Sequence, residues 1–363
     1  VARKLFVAAT GKDCGKTTLC LSLLHCAAKK YPRIGFIKPV GPKLTHFQGL
    51  QVDKDAALMA GVFGLGEQLA LMSPVTVGPQ TSRELLDGVC HRADLTERIV
   101  DACRQLEQQC DFLVIEGAGH AGVGSVLGCS NAEVARLLGA PVLLMAEAAI
   151  GRAIDALQLN LYAFERHQVP VAALLLNKFI PEKRQETLGY LRKAFAAAPH
   201  ALLGAFNYSP ILANPTLDRI SRILATPLRG DTSQRQRIAH HVQLGAASAQ
   251  RVADLLQDST LLLVNSSRDE LMVMLASLYH LPEYRGRIAG LVIPGQAAVS
   301  PITQKILDDS GIPYLRTTLS NSEAFARITR DVAKITADDQ EKIAFIRQLA
   351  DDELDFATID ALL

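Results

Sequence analysis

The sequence predicts an α/β protein, with a mostly parallel, doubly wound sheet in a larger first domain and a smaller α/β domain after it. Three observations predict this. Short apolar runs alternate with stretches of helical periodicity along most of the chain, as parallel β-α units require. The length of 363 residues suits two domains at about 150 residues each. An apolar strand, a glycine-containing loop and a helix follow directly on one another at residues 4–18.

That first crossing is the organising element. The apolar run 5–9 stops at Thr10-Gly11, and the loop continues Lys12-Asp13-Cys14-Gly15-Lys16-Thr17-Thr18 before leucines appear at helical spacing. Glycines let successive backbone N–H groups turn inward around a phosphate, and the helix N-terminus adds partial positive charge. Lys16 is placed to reach the β- and γ-phosphates, and the Thr17 hydroxyl to take Mg²⁺. The spacing departs from G-x-x-x-x-G-K-[ST], because position 10 is threonine and the glycine stands at 11.

Further strands are expected at 33–38, 111–115, 141–145 and 171–176, with helices from 52, at 94–110, from 130 and at 152–166. Asp94/Glu97 and Ser130/Glu133 have capping-box spacing, and residues 60–93, broken by prolines and glycines, read as irregular. Lys38, Glu116 and Asn177 each follow a strand end, so one site beyond the carboxyl ends of the strands could gather them with Lys16. A polar passage at 224–237 leads to a second set of strands (260–264, 288–293, 313–317) and helices (268–278, 301–309, 322–333), with Ser267/Glu270 and Ser320/Glu323 as caps. The expected domains are 1–225 and 238–335, followed by an acidic helical tail at 336–363.

Composition narrows the function classes. With 38 basic and 37 acidic residues the formal net charge is +1, so no global field favours nucleic acid or an anionic membrane. No apolar run approaches the ~20 residues of a spanning helix, and the chain opens on a strand without a signal peptide. Seven cysteines without C-x-x-C pairs, none beyond Cys129, read as reduced thiols in a cytoplasmic protein.

Glu116 follows its strand where a nucleotide-hydrolysing fold carries an acidic Mg²⁺ partner. Residues 117–122 also satisfy G-x-G-x-x-G, but the helix this dinucleotide motif needs at once is deferred to Ser130. Asp53 and Asp55 suit a helix N-terminus. Asn177-Lys178 suggests a base reader; with Ile180 where guanine recognition needs an acid, adenine is the better match. Cys14 is read as a small filler rather than a redox switch. Arg268 and Asp269 are read as a solvated helix start, and His240-His241 lacks companion metal ligands.

Thr10-Gly-Lys-Asp-Cys-Gly-Lys-Thr17, Phe36-Ile-Lys-Pro-Val-Gly41, Asp53-x-Asp-Ala56 and Ile115-Glu-Gly-Ala-Gly119 together resemble the dethiobiotin synthetase family of P-loop NTPases. Glu116-Gly-Ala-Gly-His-Ala-Gly-Val-Gly-Ser125, Ser130-Asn-Ala-Glu-Val-Ala135 and Ile150-Gly-Arg-Ala-Ile-Asp155 resemble a subgroup of it. Those domains stand at the N-terminus of long bacterial phosphotransacetylases and in stand-alone relatives. A DRTGG domain follows there, and residues 238–335 resemble one, with Val264-Asn-Ser-Ser-Arg-Asp-Glu270 where a loop rich in Gly-Asp-Arg is usual.

The resemblance implies ATP and Mg²⁺ as cofactors. It implies metal ligation by Thr17, Asp55 and Glu116, nucleotide contact by Gly11, Lys12, Asp13, Cys14, Gly15, Lys16, Thr17, Thr18 and Asn177, and catalytic roles for Lys16 and Lys38. Asn177 would meet adenine. The implied reaction is ATP-dependent phosphorylation of a small carboxylate or carbamate, with a small carboxylate or amine as substrate. The alternative is an ATP sensor with little turnover, signalling through the second domain to a partner enzyme. An enzyme is the expected reading, and a homo-oligomer the expected assembly. His120-Ala-Gly-Val-Gly-Ser125 replaces the usual dethiobiotin synthetase loop. The cysteine-free second half excludes a cysteine glutaminase there, and the sequence stops before an acetyl-transferring domain would begin.

Overall fold

The computed structural model describes residues 2–330 and 335–363. It divides into two compact units, one of residues 1–208 together with 343–363, the other of 209–342.

In the first unit a six-stranded sheet runs in the order Ala201–Gly204, Val171–Asn177, Val142–Glu147, Arg3–Ala9, Phe112–Glu116, Ile34–Ile37. Every pairing in it is parallel. Its central strands are buried on both faces, with Leu5–Ala9 and Phe112–Ile115 almost wholly shielded. Continuous apolar runs rather than alternating ones follow from that. The helices Lys16–Lys30, Arg92–Gln109 and Gly151–Arg166 supply crossovers between these strands.

Residues 60–93 carry more regular structure than expected. The helix Lys54–Phe63 is followed by short helices at Leu69–Met72 and Thr81–Leu86, and Val75–Thr76 pairs with Val40–Gly41. Tertiary pairing supplies what local propensity did not: the Lys38 N–H donates to the Met72 carbonyl at 2.8 Å. Asp94 does not cap its helix. The helix starts at Arg92 behind His91, without a side-chain cap bond, so Asp94 lies in the first turn. Ser130 and Glu133 do form a reciprocal capping box.

The second unit holds a five-stranded sheet in the order Leu228–Arg229, Tyr314–Arg316, Ile288–Ile293, Thr260–Leu263, His241–Leu244. All pairings are parallel except that of the Leu228–Arg229 edge. The polar passage at 224–237 thus lies inside this unit, which opens with Ser209. Ser320 caps the helix Asn321–Arg330 through Glu323 N–H at 3.3 Å, and the expected extension of that helix over 331–333 lies outside the described residues. Ser267 caps nothing: Arg268 takes the N-cap position of Asp269–Tyr279 and pairs with Glu270.

Residues 343–363, expected as part of a separate tail, belong to the first unit. Asp360, nearly fully buried, accepts from Tyr31 Oη at 2.8 Å and from Arg3 Nη1 at 3.2 Å, and pairs with Lys30. Asp351 pairs with His25 and Lys29, and Phe356 packs on Phe112. These bonds cover the back of the loop-bearing helix Lys16–Lys30.

Candidate functional site

Strand Arg3–Ala9 delivers Thr10 to the loop, and Gly15 turns the chain into the helix Lys16–Lys30 at φ +102°. Only glycine adopts that backbone without strain, and a Cβ there would collide with the Asn177 amide. The helix begins with no side-chain cap, which leaves its N-terminal dipole facing the loop.

Lys16, 9% exposed, bridges two loops: Nζ donates to the Gly11 carbonyl at 3.0 Å and the Gly119 carbonyl at 3.2 Å. Burial draws its ammonium below the ordinary lysine range, against the pull of Glu116. Thr17 Oγ1 lies 3.2 Å from Asp55 Oδ1 and 3.3 Å from Glu116 Oε1. Asp55 reaches this point because Asp53 caps the helix Lys54–Phe63, accepting from the Asp55 N–H at 2.8 Å.

Lys38 is not a solvated strand-end lysine. It is 3% exposed, and Nζ donates to Glu116 Oε1 at 2.8 Å, Asp55 Oδ2 at 2.9 Å and the Gly117 carbonyl at 3.3 Å. Burial opposes its charge, but the Glu116 and Asp55 carboxylates outweigh burial and hold its pKa well above the ordinary value. Glu116 is pushed up to about 7 by burial and by the Asp55 carboxylate, against the pull of Lys38. Two carboxylates around one ammonium leave the second carboxyl disposed to keep a proton.

The expected metal ligands Thr17, Asp55 and Glu116 therefore do converge. All are oxygen donors, and Glu116 Oε2 is buried without a hydrogen-bond partner. Two carboxylates and a hydroxyl fit Mg²⁺, which keeps phosphate and water ligands besides one or two carboxylates. Among the described residues no group of three or more His, Cys, Asp or Glu side chains is placed to hold a metal without such help.

Asn177 stands elsewhere than expected. Its Nδ2 donates to the Cys14 carbonyl at 2.8 Å, and its Oδ1 accepts from the Phe206 N–H at 3.2 Å. Buried under the loop, it braces the loop backbone rather than facing a base. Cys14 is buried with its thiol on the Lys12 carbonyl at 3.6 Å, and Lys12 and Asp13 are exposed.

Two asparagines escaped the sequence reading. Asn131 Oδ1 accepts from the Ala118 N–H at 2.9 Å, while its Nδ2 donates to the Ala118 and His120 carbonyls at 2.8 and 2.7 Å. Asn160 Oδ1 accepts from the Ala121 N–H at 2.8 Å. Together they fix the turn after Glu116, and a Cβ at Gly117 would strike Asn131 and Phe6. No helix opens at this turn; the next α-helix starts at Asn131, which removes the dinucleotide reading.

Residues 3–216 match the AAA domain family AAA_26. The chain belongs to this family. Over 187 residues it is 31% identical to the ATP-dependent dethiobiotin synthetase BioD of Anaeromyxobacter dehalogenans (strain 2CP-C), covering 50% of this chain and 78% of that one. Over 358 residues it is 23% identical to the phosphate acetyltransferase of Synechocystis sp. (strain ATCC 27184 / PCC 6803 / Kazusa), covering 97% of this chain and 50% of that one. The chain thus spans about half the length of the phosphate acetyltransferases it matches. The CBS and DRTGG domains of Clostridium perfringens pyrophosphatase align with 39% of the chain at 15% identity and TM-score 0.27, a score that adds nothing to the assignment. The architecture is a dethiobiotin-synthetase-like P-loop domain followed by a second α/β unit. Among the described residues no helix is long and apolar enough to cross a membrane.

Proposed function

We propose that the first unit binds Mg-ATP and transfers its γ-phosphoryl group to a small carboxylate or carbamate. The observation that carries this reading is the hydrogen-bonded cluster of Thr17, Lys38, Asp55 and Glu116, with Lys16 beside it on the Gly11 and Gly119 carbonyls. Phosphoryl transfer asks a protein for positioning and for positive charge around the transferring group, more than for covalent chemistry. Lys16, at the mouth of the loop, would hold the β- and γ-phosphates. Lys38, after the carboxyl end of the parallel strand Ile34–Ile37, would face the acceptor side of the same group. Mg²⁺ bound by Thr17, Asp55 and Glu116 would supply further charge at the phosphate oxygens. The Asn131 and Asn160 bonds hold the 117–121 backbone that Lys16 and Lys38 both touch.

A second reading has its own support, since the match to phosphate acetyltransferases runs through both units. In that reading ATP binds with little turnover, and the DRTGG-like unit carries the signal to an acetyl-transferring partner. One experiment separates the two: ATP and GTP binding and hydrolysis, measured across a panel of small carboxylates and amines made into carbamates with bicarbonate. Stimulated ADP release with one of them supports the synthetase. Binding without stimulation supports the sensor, and no nucleotide binding defeats both.

A further inference from the structure

Lys38 does more here than a phosphate-facing lysine needs to do. Its ammonium sits on Glu116 Oε1 and Asp55 Oδ2 at 2.8 and 2.9 Å, the two carboxylates best suited to Mg²⁺. Thr17 Oγ1, the third oxygen, shares Glu116 Oε1 with it. A Mg²⁺ ion would bond these oxygens at about 2.0–2.1 Å. The ammonium and the metal would then stand in near contact in a buried place, where like charges are poorly screened. The two cations therefore exclude each other.

Formal charge points the same way. Lys16 and Lys38 face three buried carboxyls, Asp53, Asp55 and Glu116, so the cluster's positive charge is already spread over the carboxylates without a metal. A divalent cation entering beside both ammoniums would set four positive charges against those three carboxyls, a buried excess of positive charge. Arriving with a polyphosphate, the same cation brings its own counter-charge. The Lys38 side chain, displaced from the carboxylates, then has phosphate oxygens to move to.

We infer that Lys38 is the resident cation of the metal site. It keeps Asp55 and Glu116 paired, excludes free divalent cations, and gives way only to a metal that enters with a polyphosphate. The inference rests on the Mg-nucleotide reading above and adds an order of events to it: metal binding requires Lys38 to leave.

The test uses Mn²⁺ as the probe, its bound fraction read from the EPR signal of the free aqua ion, on the full chain. Wild-type protein should take up Mn²⁺ with a nonhydrolysable ATP analogue and bind it poorly without one. Lys38→Met should bind Mn²⁺ without nucleotide about tenfold more tightly than wild type or better, whereas Lys38→Arg, which keeps the charge, should not. Equal nucleotide-free affinity in wild type and Lys38→Met overturns the inference and leaves the Mg-nucleotide reading standing. Should Lys38→Met fail to fold, tight nucleotide-free Mn²⁺ binding by wild type overturns it alone. No Mn²⁺ uptake even with the analogue overturns both.

Discussion

Both units set the carboxyl ends of parallel strands side by side, yet they furnish those ends differently. In the first, two strands end on Glu116 and Asn177 and a third runs into Lys38, and the buried charges at the site close on one another. In the second, the strand ends lead to Asn265, Gly295 and Thr318, which line an open cavity. The carboxylate there, Glu323, is engaged by Ser320, and the Arg316 guanidinium donates to the Ile293, Thr317 and Ala297 carbonyls. Strand ends alone therefore do not make a phosphate site. The difference lies in charge held out of water by its own counter-charge.

If that contrast is right, the largest effect belongs to Lys16. Lys16→Ala should cut phosphoryl transfer by about 10²–10³-fold, read as ADP release per bound nucleotide; an unchanged rate would erase the distinction between the units. Lys38→Met, which leaves Asp55 and Glu116 without their ammonium, should cost about 3–5 kcal/mol in urea unfolding without ligand. A loss under 1 kcal/mol, about the value of an exposed pair, would mean that the cluster is wet rather than buried. Asn177→Ala strands the Cys14 carbonyl and the Phe206 N–H, at about 1–3 kcal/mol, and nucleotide affinity should fall with stability because the loop loses its brace.

The pH dependence sharpens the same point. Glu116 is raised from 4.5 to about 7 by burial and Asp55, so it binds its proton more tightly folded than unfolded. Its contribution to stability is full below 4.5 and is lost as pH rises through about 7. Denaturation of the ligand-free protein should show that decline, and Glu116→Gln should flatten it. The smallest effect is expected in the second unit. Ser320→Ala removes one helix cap, costs about 1 kcal/mol, and should leave nucleotide affinity as it was.

Much of the site was legible because its residues sit at the ends of apolar runs or in a compact loop: Lys16, Thr17, Lys38 and Glu116 all announce themselves by position. Asp55 was legible through its helix start. What periodicity does not carry is the state of Lys38 and Asn177. The first stands in the sequence only as a residue after a strand, with nothing local to mark the carboxylates around it, and the second reads as a base reader until its amide is found under the loop. Asn131 and Asn160 act on a turn from 13 and 39 residues away, with no local pattern to mark them. Cap positions failed at Asp94 and Ser267 for a related reason, since a cap depends on where the backbone leaves the helix and not on spacing alone.

The Asp360 contacts have a consequence for how the protein is made. Arg3, Lys30 and Tyr31 leave the ribosome more than 300 residues before the carboxylate that neutralises and bonds them. The whole second unit is synthesised in between. The sheet of the first unit can pair early, because its strands lie within residues 3–204. The back of the loop-bearing helix, though, stays uncovered until residues 343–363 return to it. Dissection at residue 208 or 342 therefore yields a first unit missing one of its own walls, and a fragment ending there should expose apolar surface during synthesis that the full chain conceals.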